Sequence, residues 1–296
     1  MKRIRAQLLI LLTYPFVAIA QHPEAIRCTY LLHRAEQEAA DSNYTQAYAD
    51  WDSAFAHVSW GAWDRLQAAE TAIAHGDTAH ALHYLESIYR SGAESLIPYG
   101  EHLKGFVAQG FEAPELGRLL TAQWEWHQRA DSAWIDAITA MNTYFETKGW
   151  DGKFVVDGKD SALARMDDLI TVHGFPDPAR TGTHFGKFAW LLDQLVYARS
   201  DDPHVRSIIA AAEAAIASGV APPDLLCELK DQEAIYRGRP MLYGVLLMYY
   251  SDSARSLCAP DWAALDDNRA RAGLLPIKEA MRRFGVDPGS IVFSEP

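Results

Sequence analysis

Residues 62–92 read AWDRLQAAETAIAHGDTAHALHYLESIYRSG: two helical patterns, Ala62–His75 and Thr78–Arg90, set around a Gly76-Asp77 turn and closed by Ser91-Gly92. Ala69, Ala72 and Ala81 are small where two helices must approach, and Leu85 and Ile88 supply larger packing groups at helical spacing. One such hairpin cannot bury both of its faces alone. The helical stretches Tyr44–Val58 before it and Leu96–Ala108 after it are the expected stacking neighbours.

Further upstream, Glu24–Ala40 is a long helical pattern closed by Asp41-Ser42-Asn43, and Tyr44–Val58 places Ala47, Trp51 and Phe55 at helical spacing. The small residues, turn glycine and packing residues of 62–92 resemble a tetratricopeptide-type repeat, well over about 35 residues and loosely over about 90. That resemblance implies stacked hairpins with a concave face for a protein or peptide. Downstream, Ala113–Lys148 reads as one long helix or two end to end, with Pro114 in the first turn, Asp131 and Ser132 marking a break, and a stop at Lys148-Gly149.

Lys2, Arg3 and Arg5 precede an apolar run, Leu8–Ala20, that closes on Ala18-Ile19-Ala20. This is the pattern of a cleaved signal peptide, with cleavage expected after Ala20. As a helix the run spans only about 20 Å, short of a hydrocarbon core of roughly 30 Å. The mature chain is therefore expected outside the cytoplasm, periplasmic or secreted, without stable membrane insertion. Its formal charge of −12 becomes three units more negative once the basic residues leave. Such a surface repels phosphate backbones, which argues against nucleic-acid binding. Three cysteines, Cys28, Cys227 and Cys258, make no framework; one bridge, Cys227–Cys258, is the expected pairing, with three buried thiols the alternative.

Between Gly149 and Asp160, two Asp-Gly turns flank a β-branched run, so a loop or short hairpin is expected. The calcium-loop spacing is missing there. Ala162–Val172 then reads as a helix capped by Asp160 or Ser161 and stopped by Gly174, with Pro176 preventing resumption and Phe175 filling a core gap. Helical patterns follow at Phe185–Ala198, Pro203–Ser218, Pro222–Arg237, Met241–Tyr250, Asp261–Ala272 and Leu275–Phe284. The layout is thus a signal peptide at 1–20, helical-hairpin (tetratricopeptide-like) repeats over 21–110 and an α-helical C-terminal domain over 111–296, an all-α protein.

His173-Gly174-Phe175-Pro176, Gly182, Gln194, Pro223-Asp224-Leu225, Asp231, Gly238, Tyr243-Gly244, Arg269 and Gly273-Leu274 together resemble the bacterial domain-of-unknown-function family 6624, over about 120 residues. The resemblance implies an exported protein with helical repeats ahead of this domain, and a polar constellation inside it. It marks His173, Gln194, Asp231, Tyr243 and Arg269 as candidate binding residues. The chain departs from the family pattern where His, Arg and two Gln give way to Leu195, Gln232, Met241 and Leu246. A site that loses its base, its cation and two amides is altered or inactive.

No serine-nucleophile elbow, zinc-protease helix, phosphate-binding glycine loop or dinucleotide fingerprint occurs. His80, His83 and Glu86 share a helical face but lack the convergence a zinc site needs, so no metal and no cofactor is expected. The tryptophans around 51–63 and 124–134 read as core, and the adjacent pairs Asp167-Asp168, Asp201-Asp202 and Asp266-Asp267 as solvated surface. The expectation is a non-catalytic binding or scaffold protein with a protein or peptide on the repeat face and no catalytic residues. The alternative is a hydrolase using His173, Asp231, Tyr243 and Arg269, provided that they converge.

Overall fold

The structure is a computed structural model that describes residues 22–148, 157–196, 202–247, 257–258, 261–283, 286–287 and 293–294. The expected signal peptide and the 149–156 part of the expected hairpin lie outside the described residues. The fold is all-α. Its helices are α1 (Pro23–Ala40), α2 (Tyr44–Phe55), α3 (Ala62–Ala74), α4 (Thr78–Arg90), α5 (Leu103–Ala108), α6 (Ala113–Arg129), α7 (Ser132–Lys148) and α8 (Asp157–His173). They continue as α9 (Pro178–Thr181), α10 (His184–Val196), α11 (Pro203–Ala217), α12 (Asp224–Tyr236), α13 (Trp262–Arg271) and α14 (Ile277–Arg283). Two-residue strands β1 (Leu257–Cys258) and β2 (Phe293–Ser294) pair in parallel.

Helices α1 and α2 pack as one hairpin and α3 and α4 as a second, and the two stand side by side. Ala47, Ala54, Ala68, Ala69, Ala72 and Ala81 have no exposed surface, which is where the helices close on each other. Trp51, Tyr84, Leu85 and Ile88 fill the space between them. The expected helix Leu96–Ala108 is instead a 3-10 turn, Glu94–Tyr99, followed by the short α5. Pro98 donates no N–H, and the Glu70 carboxylate accepts from His102 and Leu103 N–H, the latter at 2.6 Å, starting a new helix there.

The break between α6 and α7 falls at Ala130-Asp131. Helix α6 lies along α4, and its Leu119 belongs to the first core. A second core gathers Trp134, Leu163, Met166, Phe188, Leu192, Ile208 and Leu226 from α7, α8, α10, α11 and α12. Gly174 stops α8 with φ +77°, and Phe175 meets Phe188 edge-on at 5.3 Å, as the His173-Gly174-Phe175-Pro176 reading anticipates.

Two further expectations are corrected here. Cys227 is a buried free thiol beside the Pro223 carbonyl oxygen at 3.6 Å, so the Cys227–Cys258 bridge is not formed. Residues 241–246 are an irregular turn rather than the start of a helix. The Asp231 carboxylate takes the N–H groups of Leu242, Tyr243 and Val245 at 2.7–2.8 Å, and Gly244 has φ +64°. A buried acceptor from another helix has outcompeted the local i→i−4 ladder.

The segment 178–183 joins the halves. Trp126 Nε1 donates to the Ala179 carbonyl at 3.1 Å, Thr183 N–H to Gly92 at 3.3 Å, and Asp131 N–H to Arg180 at 2.8 Å. A Cβ on Gly182 would stand 2.5 Å from the Gly92 oxygen, and one on Gly92 would enter the Trp126 ring. The C-terminal end returns to α1, where a Cβ on Gly273 would lie 2.4 Å from the Ile26 oxygen.

Candidate functional site

Because α9, the start of α10 and the start of α12 lie against α1 and α3, the two halves enclose a cavity of about 210 Å³. Helix α1 contributes Thr29, Leu32 and His33; the loop into α3 contributes Trp60 and the first turn of α3 contributes Trp63 and Asp64; Phe185 and Asp224 close the far side. Arg65 follows Asp64 on α3 and is not part of the lining. Its guanidinium, 4% exposed, donates to the carbonyls of Val58 and Trp60 and to Ser87 Oγ and stacks 4.4 Å over Phe55. Burial pulls its pKa down to about 10 while Asp64 opposes the fall.

Asp64 stands in the first turn of α3 and Asp224 opens α12, positions where the helix dipole favours an acid. Burial, then the charge of Asp224, push the Asp64 carboxyl up to about 6, against the pull of Arg65. Burial likewise raises Asp224, against the backbone N–H groups of its own turn. One turn along α12, Glu228 is pushed up to about 7 by burial and by Asp193, Asp224 and Asp231. Asp224, Glu228 and Asp231 thus form an acidic row along one face of α12. Three buried polar atoms on the cavity's lining residues have no hydrogen-bond partner among the described residues: Thr29 Oγ1, Trp60 Nε1 and Asp224 Oδ1. Native interiors satisfy such groups with protein, water or ligand.

Trp63 marks the mouth. It is 60% exposed and lies 6.1 Å from the Tyr99 ring, itself exposed, so the core reading of the tryptophans holds for Trp51, Trp60, Trp126 and Trp134 but fails for Trp63 and Trp124.

The five candidate binding residues read from the sequence do not line this cavity. His173 is exposed at the end of α8. Gln194 donates to Asp193 at 2.9 Å. Asp231 and Arg269 do meet around Tyr243, yet through its backbone: Asp231 accepts the Tyr243 N–H, and Arg269 donates to the Tyr243 and Leu275 carbonyls at 2.7 and 2.5 Å. Leu195, Met241 and Leu246 are buried in apolar clusters. His80, His83 and Glu86 each have a separate partner, Asp77, Asp52 and Arg90. Among the described residues no group of three potential ligands is placed to hold a metal, and no helix is long and apolar enough to cross a membrane.

Asp224 is legible in the sequence as part of a helix start, whereas nothing in the sequence singles out Asp64. Their meeting across the two halves had no signal in the chain. No family model, no curated protein and no solved structure matches this chain.

Proposed function

We propose that this chain is an exported, non-catalytic binding protein whose ligand lodges between a pair of tetratricopeptide-like hairpins and a C-terminal domain of the family-6624 type. The observation that carries the reading is the cavity lined from both halves, with the exposed Trp63 at its mouth. A ligand there is held against the apolar walls of Leu32, Trp60 and Phe185. A peptide or protein on the hairpin face is the other form of a binding function. It needs that face open, whereas α1 meets the chain's own C-terminal half at Gly273.

Gly186 provides the test. It lines the cavity on α10, and an added Cβ meets nothing within 4 Å. Gly186→Leu should therefore add an apolar side chain at the cavity's exposed edge without a clash and raise helix propensity, by about 1 kcal/mol. In a thermal-shift screen of small molecules, compounds that raise the midpoint of the unmodified protein should lose their effect in this variant. Ligands that stabilise both proteins equally would place the binding function elsewhere.

A second reading has a specific observation behind it, the neighbouring carboxylates Asp64 and Asp224 with raised pKa values. Such a pair can serve as general acid and base in a hydrolase. Turnover of chromogenic esters or glycosides near pH 6, abolished by Asp64→Asn, would favour that reading over simple binding.

A further inference from the structure

We propose that the outward face of α6 is a self-association surface, on which a second copy of this chain lays its own α6 antiparallel about a two-fold axis near Leu120. This surface lies apart from the cavity, which no residue of α6 lines.

Helix α6 is apolar on two sides. Leu119, Ala122 and Trp126 are buried against the rest of the protein. On the exposed side Leu116, Leu120 and Trp124 recur every four residues and are 45%, 53% and 62% exposed. A surface helix ordinarily carries one apolar stripe and a charged outer face. Here the outermost positions are Ala113, Gly117, Leu120, Thr121 and Trp124, with no charged residue among them. Thr121 donates its hydroxyl to the Gly117 carbonyl at 2.8 Å, so that donor is satisfied within the helix. A continuous exposed stripe of this kind marks a protein contact.

The pattern of the stripe fits a copy of itself. Reversing α6 about Leu120 sets Leu120 against its own copy and Leu116 against Trp124 of the second copy. Gly117 leaves the hollow that this indole needs, since an added Cβ there meets nothing within 4 Å. Arg118 and Glu125 flank the stripe on one side. In an antiparallel pair that side meets itself, which brings each Arg118 within one helical turn of Glu125 of the other copy. Arg118 forms no ion pair among the described residues, and Glu125 engages Arg90 through Oε2 at 3.1 Å, leaving Oε1 for a second cation. A parallel pair would instead set Arg118 on Arg118 and align the helix dipoles unfavourably. A two-fold contact closes at the dimer. The 17-residue helix is about 25 Å long, so the contact sits at the small end of specific interfaces, with a Kd of about 1–100 μM.

Sedimentation velocity of the purified protein from about 1 to 200 μM tests this, and the average mass should rise from one chain toward two. Leu120→Glu places two carboxylates on the axis and should weaken association at least about tenfold. Arg118→Glu should weaken it about threefold to tenfold, and adding Glu125→Arg should restore it, because the pair then forms again with its signs reversed. A second measurement needs no disruptive variant: Leu120→Cys treated with a mild thiol oxidant should give a covalent dimer, whereas Val172→Cys, at an exposed position on α8, should not. A single-chain mass at every concentration overturns the proposal and leaves the stripe to a partner of another kind. A dimer that survives Leu120→Glu overturns it as well, since its contact lies elsewhere. Should Leu120→Glu fail to fold, the cross-link decides, and its absence overturns the two-fold pairing.

Discussion

Asp231 stands in the middle of α12 with no exposed surface, and its carboxylate is the acceptor for three backbone N–H groups of the 242–245 turn. Replacing it with Ala strands three donors in a buried site. At about 1–3 kcal/mol for an unsatisfied buried group, part of it relieved by water entering the gap, Asp231→Ala should cost about 3–5 kcal/mol, read as a lowered urea midpoint. Asp231→Asn keeps one acceptor oxygen and should lose about half as much. A loss below about 1 kcal/mol for the alanine variant would mean that the turn stands without the carboxylate. The sequence already marks Asp231, Tyr243 and Arg269 as candidate binding residues. It cannot say that the bonds run through the Tyr243 backbone, because a carboxylate reaching a loop eleven or more residues away leaves no periodic trace. Arg65 is harder still: nothing within 62–92 singles it out, and its burial rests on bonds to the Val58 and Trp60 carbonyls, which lie outside that stretch.

Helix ends are where local chemistry speaks most clearly. Thr78–Arg90 is found with the bounds expected from its sequence, since the Asp77 side chain accepts the His80 N–H and Ser91-Gly92 closes the helix. The turn 241–246 fails as a local reading because its hydrogen bonds are supplied from another element. Junction glycines can be tested apart from turn glycines. Gly92 and Gly76 both have positive φ, but a Cβ on Gly92 lands 2.1 Å from the Trp126 ring while one on Gly76 meets nothing. Gly76→Ala should cost about 1–2 kcal/mol, the backbone penalty alone. Gly92→Ala adds a collision with a buried indole that itself holds the Ala179 carbonyl, and should cost about 2–3 kcal/mol more. Equal thermal midpoints for the two variants would show that the Trp126 contact with 92 and 182 contributes nothing to joining the halves.

At the scale of the whole molecule, the buried acids set how stability follows pH. An acid whose pKa is higher folded than unfolded binds its proton more readily in the native state. Its stabilising effect is complete below the unfolded value and is lost as pH rises through the folded one. Asp64, at about 6, and Glu228, at about 7, thus weaken the fold between pH 4 and 8, with Asp224 acting in the same direction. His83, raised by its bond to Asp52, and His204, raised by Asp167 Oδ2 at 2.7 Å, also lose stabilisation as pH rises through their folded values. His184 opposes them: burial lowers its pKa, so its neutral form favours folding above the ordinary histidine range. Below pH 4 the lowered carboxyls of Asp52, Asp77 and Asp167 take over, and stability falls with acid. The thermal midpoint should therefore peak near about pH 5 and decline toward pH 8. The groups around the cavity pair are His33 from α1, Arg65 on α3, Asp193 on α10, and Cys227 and Glu228 on α12, so the pair does not titrate in isolation. Asp64→Asn with Asp224→Asn separates its share: the variant should be more stable than the parent at pH 8 by on the order of 2 kcal/mol, and nearly equal at pH 5. A parent midpoint that stays flat or rises from pH 5 to 8, unaltered by the double substitution, would mean that the two carboxyls are hydrated in the native state and that the cavity between the halves is open water.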